Sequence, residues 1–206
     1  MRQSLLLLIL LLGPGAGPAA AAYPEYIPLF WAELYPQGGN SLYCGTAFDR
    51  HDRRVNIEHV YPMGWVTRQL GCGRRQQCRE RSERFNVIEA DLHNLYPTLR
   101  TSNTARGAMA FGELAGELWM TPDCDLEIDE ARRRVEPREA VRGDIARAIF
   151  YMESRYGLEI YRRQRALLLK WHRADPPDDH ERWRNDRIEV LQGNRNPFID
   201  RPESLR

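Results

Sequence analysis

Four cysteines behind an export-type leader constrain this sequence more than any other feature, because together they imply two covalent staples. Arg2 is followed by the apolar run Leu5 to Leu12, a Gly/Pro break and the small residues Ala19 to Ala22, the order of a signal peptide and its cleavage site. The run is too short to span a bilayer. Residues 1–22 are therefore expected to be removed, leaving 23–206 as a single exported domain, periplasmic or secreted, with no membrane segment. In an oxidising compartment the cysteines allow three pairings. Cys72 and Cys78 lie in a Gly/Arg/Gln loop that can turn back on itself, while Cys44 and Cys124 flank the polar motifs between them. This favours Cys72 with Cys78 and Cys44 with Cys124. A zinc site made of Cys72, Cys78 and a histidine is the alternative, although thiolate zinc sites usually have more closely spaced cysteines.

Inside this frame, Val55 to Pro62 (VNIEHVYP) reads as a short strand that delivers Glu58 and His59 into a loop. Further on, Asp91 to Pro97 (DLHNLYP) reads as a helical turn ended by Pro97, presenting Asn94 as a neutral oxygen donor and Asp91 on the same face. A carboxylate, a carboxamide oxygen and water suit a hard divalent cation. An imidazole beside that cation suits phosphodiester hydrolysis, with the histidine deprotonating water.

EHVYP, DLHNLYP and the closing QGNRNPFID (Gln192 to Asp200) stand in the order found in the endonuclease I family, which this chain resembles from about Tyr43 to Pro202. The resemblance implies an α+β, mostly helical, disulfide-stapled domain built around a ββα-metal (His-Me finger) nuclease motif. It implies cutting of DNA, double- or single-stranded, and of RNA, with little sequence preference and with 5′-phosphate products. Carried over residue by residue, Glu58 and Asn94 become the ligands of one magnesium ion, and His59 becomes the general base. An arginine shortly before a disulfide cysteine maps to Arg75, with Arg74 as the fallback. A monomer is expected.

Charge supports this only locally. Without Arg2 the formal charge falls from +1 to zero, yet six arginines against two acids lie between Arg68 and Arg84, in the segment joining the two motifs. Arg74 there, and Arg106 in the donor-rich stretch Thr98 to Gly107, are the candidate phosphate contacts. Two other activities fit the same residues: a metal-dependent phosphomonoesterase, and an exported nucleic-acid-binding protein without catalysis.

For the rest of the chain, Tyr23 to Gly39 is expected to lie as a lid on the core. Ser41 to Phe48 is expected to pair with the Val55 strand. Helices are expected from Pro137 to Gly157, from Leu158 to Trp171, and from Asp178, whose partner Glu181 makes a capping box, to Gly193.

Overall fold

The computed structural model describes residues 22–116 and 119–205, so the expected leader lies outside the described residues apart from Ala22. No described helix is long and apolar enough to cross a membrane.

In chain order, helix α1 (Tyr23–Leu29) runs into a π-helical turn, Phe30–Leu34, and then into the short strands β1 (Gly39–Asn40) and β2 (Ala47–Phe48). Strand β3 (Val55–His59) is followed by helices α2 (Met63–Leu70), α3 (Arg75–Arg81) and α4 (Glu83–Ala90). A 3-10 turn, Leu92–Asn94, leads to strand β4 (Leu95–Leu99) and directly on to helix α5 (Arg100–Arg106). Strands β5 (Ala110–Phe111), β6 (Trp119–Thr121), β7 (Cys124–Asp129) and β8 (Arg134–Pro137) form one sheet in the order β5-β8-β7-β6. Helices α6 (Arg142–Tyr156), α7 (Arg162–Ala174), α8 (Asp179–Gln192) and α9 (Pro197–Asp200) complete a mixed helix-and-sheet fold.

The core is built on α6, where Ile145, Ala146, Ala148, Ile149, Phe150 and Met152 are fully buried. Gly157 and Gly193 end α6 and α8 in the left-handed conformation, with φ of 64° and 77°. Asp178 and Glu181 form the expected reciprocal cap on α8. Both expected disulfides are present, Cys44–Cys124 and Cys72–Cys78, so none of the four cysteines is left to bind zinc.

Strand pairing departs from expectation. β3 pairs antiparallel with β4 and not with the Ser41 to Phe48 segment, in the register Glu58↔Tyr96 and His59↔Leu95. The expected helical turn therefore ends at Asn94, and Pro97 lies within a strand. In a two-stranded ribbon a proline costs little, since its missing N–H can face an outer edge. Its carbonyl accepts a hydrogen bond from the Leu42 N–H at 2.7 Å. The donor-rich stretch holds helix α5 at Arg100–Arg106, and the acidic run Cys124–Asp129 is strand β7. The order strand, three-helix excursion, strand, helix places β3, β4 and α5 side by side.

The two staples close loops of very different length, with sequence separations of 80 and 6 residues. On loop-closure entropy, replacing Cys44 and Cys124 by serine should cost about 4 kcal/mol of stability and replacing Cys72 and Cys78 about 2 kcal/mol. Urea denaturation of the two double variants checks this, and equal losses would mean that loop length does not set their contributions.

Candidate active site

The last two residues of β3 project into a cleft of about 1010 Å³. Glu58 is buried, and its Oε1 accepts hydrogen bonds from the Tyr43 hydroxyl at 2.7 Å and from Arg106 Nη1 at 2.9 Å. Both bonds fall on Oε1, and the backbone N–H of His59 also bonds the carboxylate. Burial pushes the Glu58 carboxyl up from its ordinary value, opposed by the Arg106 charge and the Tyr43 hydroxyl. Arg106 itself is completely buried at the end of α5. It also donates to the carbonyls of Val60 at 2.8 Å and His59 at 3.3 Å, and its guanidinium lies 4.8 Å from the centre of the Phe111 ring.

His59 is fixed by one hydrogen bond, from Nε2 to the backbone carbonyl of Glu89 at 2.9 Å. A carbonyl only accepts, so Nε2 carries the proton and the neutral ring keeps its lone pair on Nδ1. Burial, reinforced by the Arg75 charge, lowers its pKa to about 4. The Glu89 side chain, also buried, binds two arginines: Oε1 accepts from Arg75 Nε at 2.5 Å, and Oε2 from Arg79 Nε at 2.7 Å. Burial acts to raise the Glu89 carboxyl, but the Arg79 and Arg75 contacts prevail and hold it below its ordinary value. Arg75 and Arg79 lie one turn apart on α3, and the Cys72–Cys78 disulfide ties that helix to the loop before it.

The cleft is also lined by Arg50 and Arg53 from the turn before β3 and by Arg100 on α5. Asn103, in the middle of α5, faces the same cleft. Its Nδ2 donates to Asn56 Oδ1 at 3.0 Å and to the Ile57 carbonyl at 3.2 Å, which turns its oxygen away from those acceptors.

Of the residues singled out from sequence, the structure brings Glu58, His59, Arg74 and Arg75 together on the cleft wall. Two have different places. Asn94 is fully buried, with Oδ1 accepting the Tyr61 N–H at 2.6 Å and Nδ2 donating to the Tyr61 carbonyl at 3.0 Å. Its amide latches the chain just after β3 to the turn before β4 and has no face left for a cation. Arg106 cannot meet a phosphate because it has no exposed surface; its charge is spent on Glu58 and backbone carbonyls. Asp91 is also structural, accepting from the Tyr151 and Tyr156 hydroxyls and from Gln192 Nε2. Asn103, Arg79, Glu89 and Tyr43 were not singled out from sequence. Asn103 becomes visible only once β4 is recognised as the second strand, since the helix that follows then turns its middle toward the end of β3.

Residues 30–203 match the family model described as Endonuclease I. An extracellular deoxyribonuclease of Aeromonas hydrophila is 40% identical over 152 residues, covering 72% of this chain and 66% of that protein. Endonuclease-1 of Buchnera aphidicola from Acyrthosiphon pisum is 34% identical over 170 residues, covering 79% and 68%. An extracellular ribonuclease of Bacillus subtilis is 39% identical over 131 residues, covering 55% of this chain and 44% of its own length. The chain thus spans about two thirds or less of the length of these relatives.

The two asparagines should separate cleanly. Asn94→Ala strips partners from a buried N–H and a buried carbonyl and should cost about 2 kcal/mol or more. Asn103→Ala, at the cleft wall, should stay within about 1 kcal/mol of the parent. Urea melts of both variants measure this, and a reversed order would contradict these assignments.

Proposed function

The chain belongs to the endonuclease I family, and from its cleft we propose that it is an exported, metal-dependent nuclease that hydrolyses phosphodiester bonds in DNA and RNA. The observation that carries this is a neutral imidazole with its free nitrogen at the wall of an arginine-lined cleft, next to a buried carboxylate. Export follows from the expected leader, from the two disulfides and from relatives named as extracellular. Relatives named as a deoxyribonuclease and as a ribonuclease support a substrate range that includes both nucleic acids. The surrounding guanidiniums favour phosphate contacts, which position a strand without reading its bases, so cutting with little sequence preference is the natural outcome.

A magnesium ion fits the donors present. Glu58 and Asn103 both line the cleft, and each carries a hard side-chain oxygen. Magnesium commonly takes one or two protein oxygens and keeps several waters. We assign Glu58 and Asn103 to hold it, and β3, β4 and α5 then form a ββα-metal unit. When bound, the ion would supply positive charge to the phosphate and the departing oxygen.

The protein's own steps follow from the hydrogen bonds. The Glu89 carbonyl holds His59 with Nδ1 free, and Nδ1 takes a proton from the water that attacks phosphorus. Arg75, aimed by Glu89, stabilises the negative charge that grows on the phosphoryl oxygens. Cleavage of the bond to the 3′ oxygen leaves 5′-phosphate and 3′-hydroxyl ends.

Nicking of supercoiled plasmid by the oxidised mature protein tests this. Magnesium-dependent nicking, lost in EDTA and in His59→Ala, is expected, whereas binding without cutting, or phosphate release from monoesters with plasmid left intact, would overturn it. The pH profile of nicking gives an independent check. The catalytic form of His59 is the unprotonated one, so a pKa lowered to about 4 keeps the base competent well into mild acid. Activity should persist below pH 6, and an acid limb at the ordinary histidine value of about 6.5 would contradict the buried, neutral base.

A further inference from the structure

The first described helix bears on this cleft in a way the proposed chemistry does not use. The Tyr23 ring lies 5.0 Å from the His59 ring, centre to centre. The guanidinium carbons of Arg75 and Arg79 both stand 5.7 Å from the centre of the same ring. One aromatic side chain is thus surrounded by the proposed general base and both arginines held by Glu89. A phosphate touching the imidazole and the Arg75 guanidinium together would have to take the volume that this ring fills.

The helix that carries Tyr23 has no fully buried side chain. Tyr23 and Tyr26 are partly buried against the smaller core, Pro24 lies at the start of the helix, and Pro28 lies inside it. The π-helical turn that follows is firmly anchored, with Phe30 and Leu34 0% and 2% exposed. A segment without a fully buried side chain, set on a fixed base, can swing with little disturbance of the core. Tyr23 itself is only partly buried, its cation-π contacts are each worth about 1 kcal/mol, and a polyanion offers the same arginines stronger partners.

We propose that α1 is a lid whose Tyr23 ring occupies the phosphate position between His59 and the Arg75–Arg79 pair, so that substrate enters by displacing it. The inference rests on the nuclease reading for the identity of the substrate and on the ring contacts for the gate. Substrate binds only the fraction of molecules with the lid open, and the apparent dissociation constant is raised by that fraction. The ring supplies the obstruction, since the contacts to His59, Arg75 and Arg79 are contacts of the ring itself.

The test compares wild type, Tyr23→Ala and Tyr23→Phe, each exported, its N-terminus verified by mass and its fold by circular dichroism. Binding of a fluorescent DNA duplex is measured in EDTA, where no cutting occurs, and plasmid nicking kinetics are measured in magnesium. The lid predicts that Tyr23→Ala binds DNA about 3- to 10-fold more tightly and lowers KM by a similar factor, as for a lid open in about a tenth to a third of molecules. It predicts kcat within about twofold of wild type, and Tyr23→Phe unchanged throughout. Unchanged binding and KM in Tyr23→Ala would overturn the lid, as would weaker binding or a fall in kcat alone, the mark of a residue that contacts substrate or positions His59. Failure of the wild type to nick in magnesium would remove the nuclease reading, while the EDTA binding comparison would still decide the gate.

Discussion

The site depends on one buried ion pair, Arg106 with Glu58. A carboxylate taken out of water at the end of a strand is driven toward its neutral form, and a neutral carboxyl would be of little use to a cation. Arg106 opposes that from the end of the helix that follows the partner strand, and the His59 carbonyl, on the same Nη1, and the Val60 carbonyl, on Nη2, hold the guanidinium in place. The pair therefore joins the end of β3 to the end of α5 and sets the orientation of Glu58 in the same contact. Burial of both partners makes it an arrangement that stabilises little by itself but is costly to break. Tyr43, next to the Cys44–Cys124 staple, adds the second bond to the same oxygen and ties the site to the four-stranded sheet.

A second polar node explains the other motifs. Asp91 and His93 bind Gln192 and Asn194, and Asp91 also receives the hydroxyls of Tyr151 and Tyr156 from α6. DLHNLYP and QGNRNPFID are thus two sides of one buried joint, which clamps the turn before β4 against the helical half of the molecule. The joint fixes where β4 begins, and with it the register that puts Tyr96 opposite Glu58. The motifs that carry the family resemblance therefore differ in place, since EHVYP lines the cleft and carries the proposed chemistry while the other two form the joint behind it.

That division also explains what sequence could and could not show. Helices α6 and α8 were legible because periodic apolar residues, a capping box and terminal glycines all agree with one another. The disulfides were legible from spacing and compartment. The place of Glu58 and His59 at a strand end was legible from the short apolar alternation before them, and the structure puts both on the cleft. Asn94 was misjudged because an asparagine in a polar motif looks the same whether its amide meets a cation or the Tyr61 backbone. Arg106 was misjudged because sequence does not tell a buried guanidinium from a surface one. Both errors trace to β4: Pro97 disguised it as the end of a turn, and without that strand neither the position of α5 nor the direction of Asn103 can be inferred.

In the proposed site Arg106 aims Glu58 so that it binds a divalent cation together with Asn103. Calorimetric titration of manganese into wild type and Arg106→Lys, both shown folded by circular dichroism, tests it without reference to catalysis. Lysine keeps the charge and loses the fork that reaches Glu58 and two carbonyls at once, so affinity should fall by about 10-fold or more. A folded Arg106→Lys that binds manganese as tightly as wild type would contradict the claim.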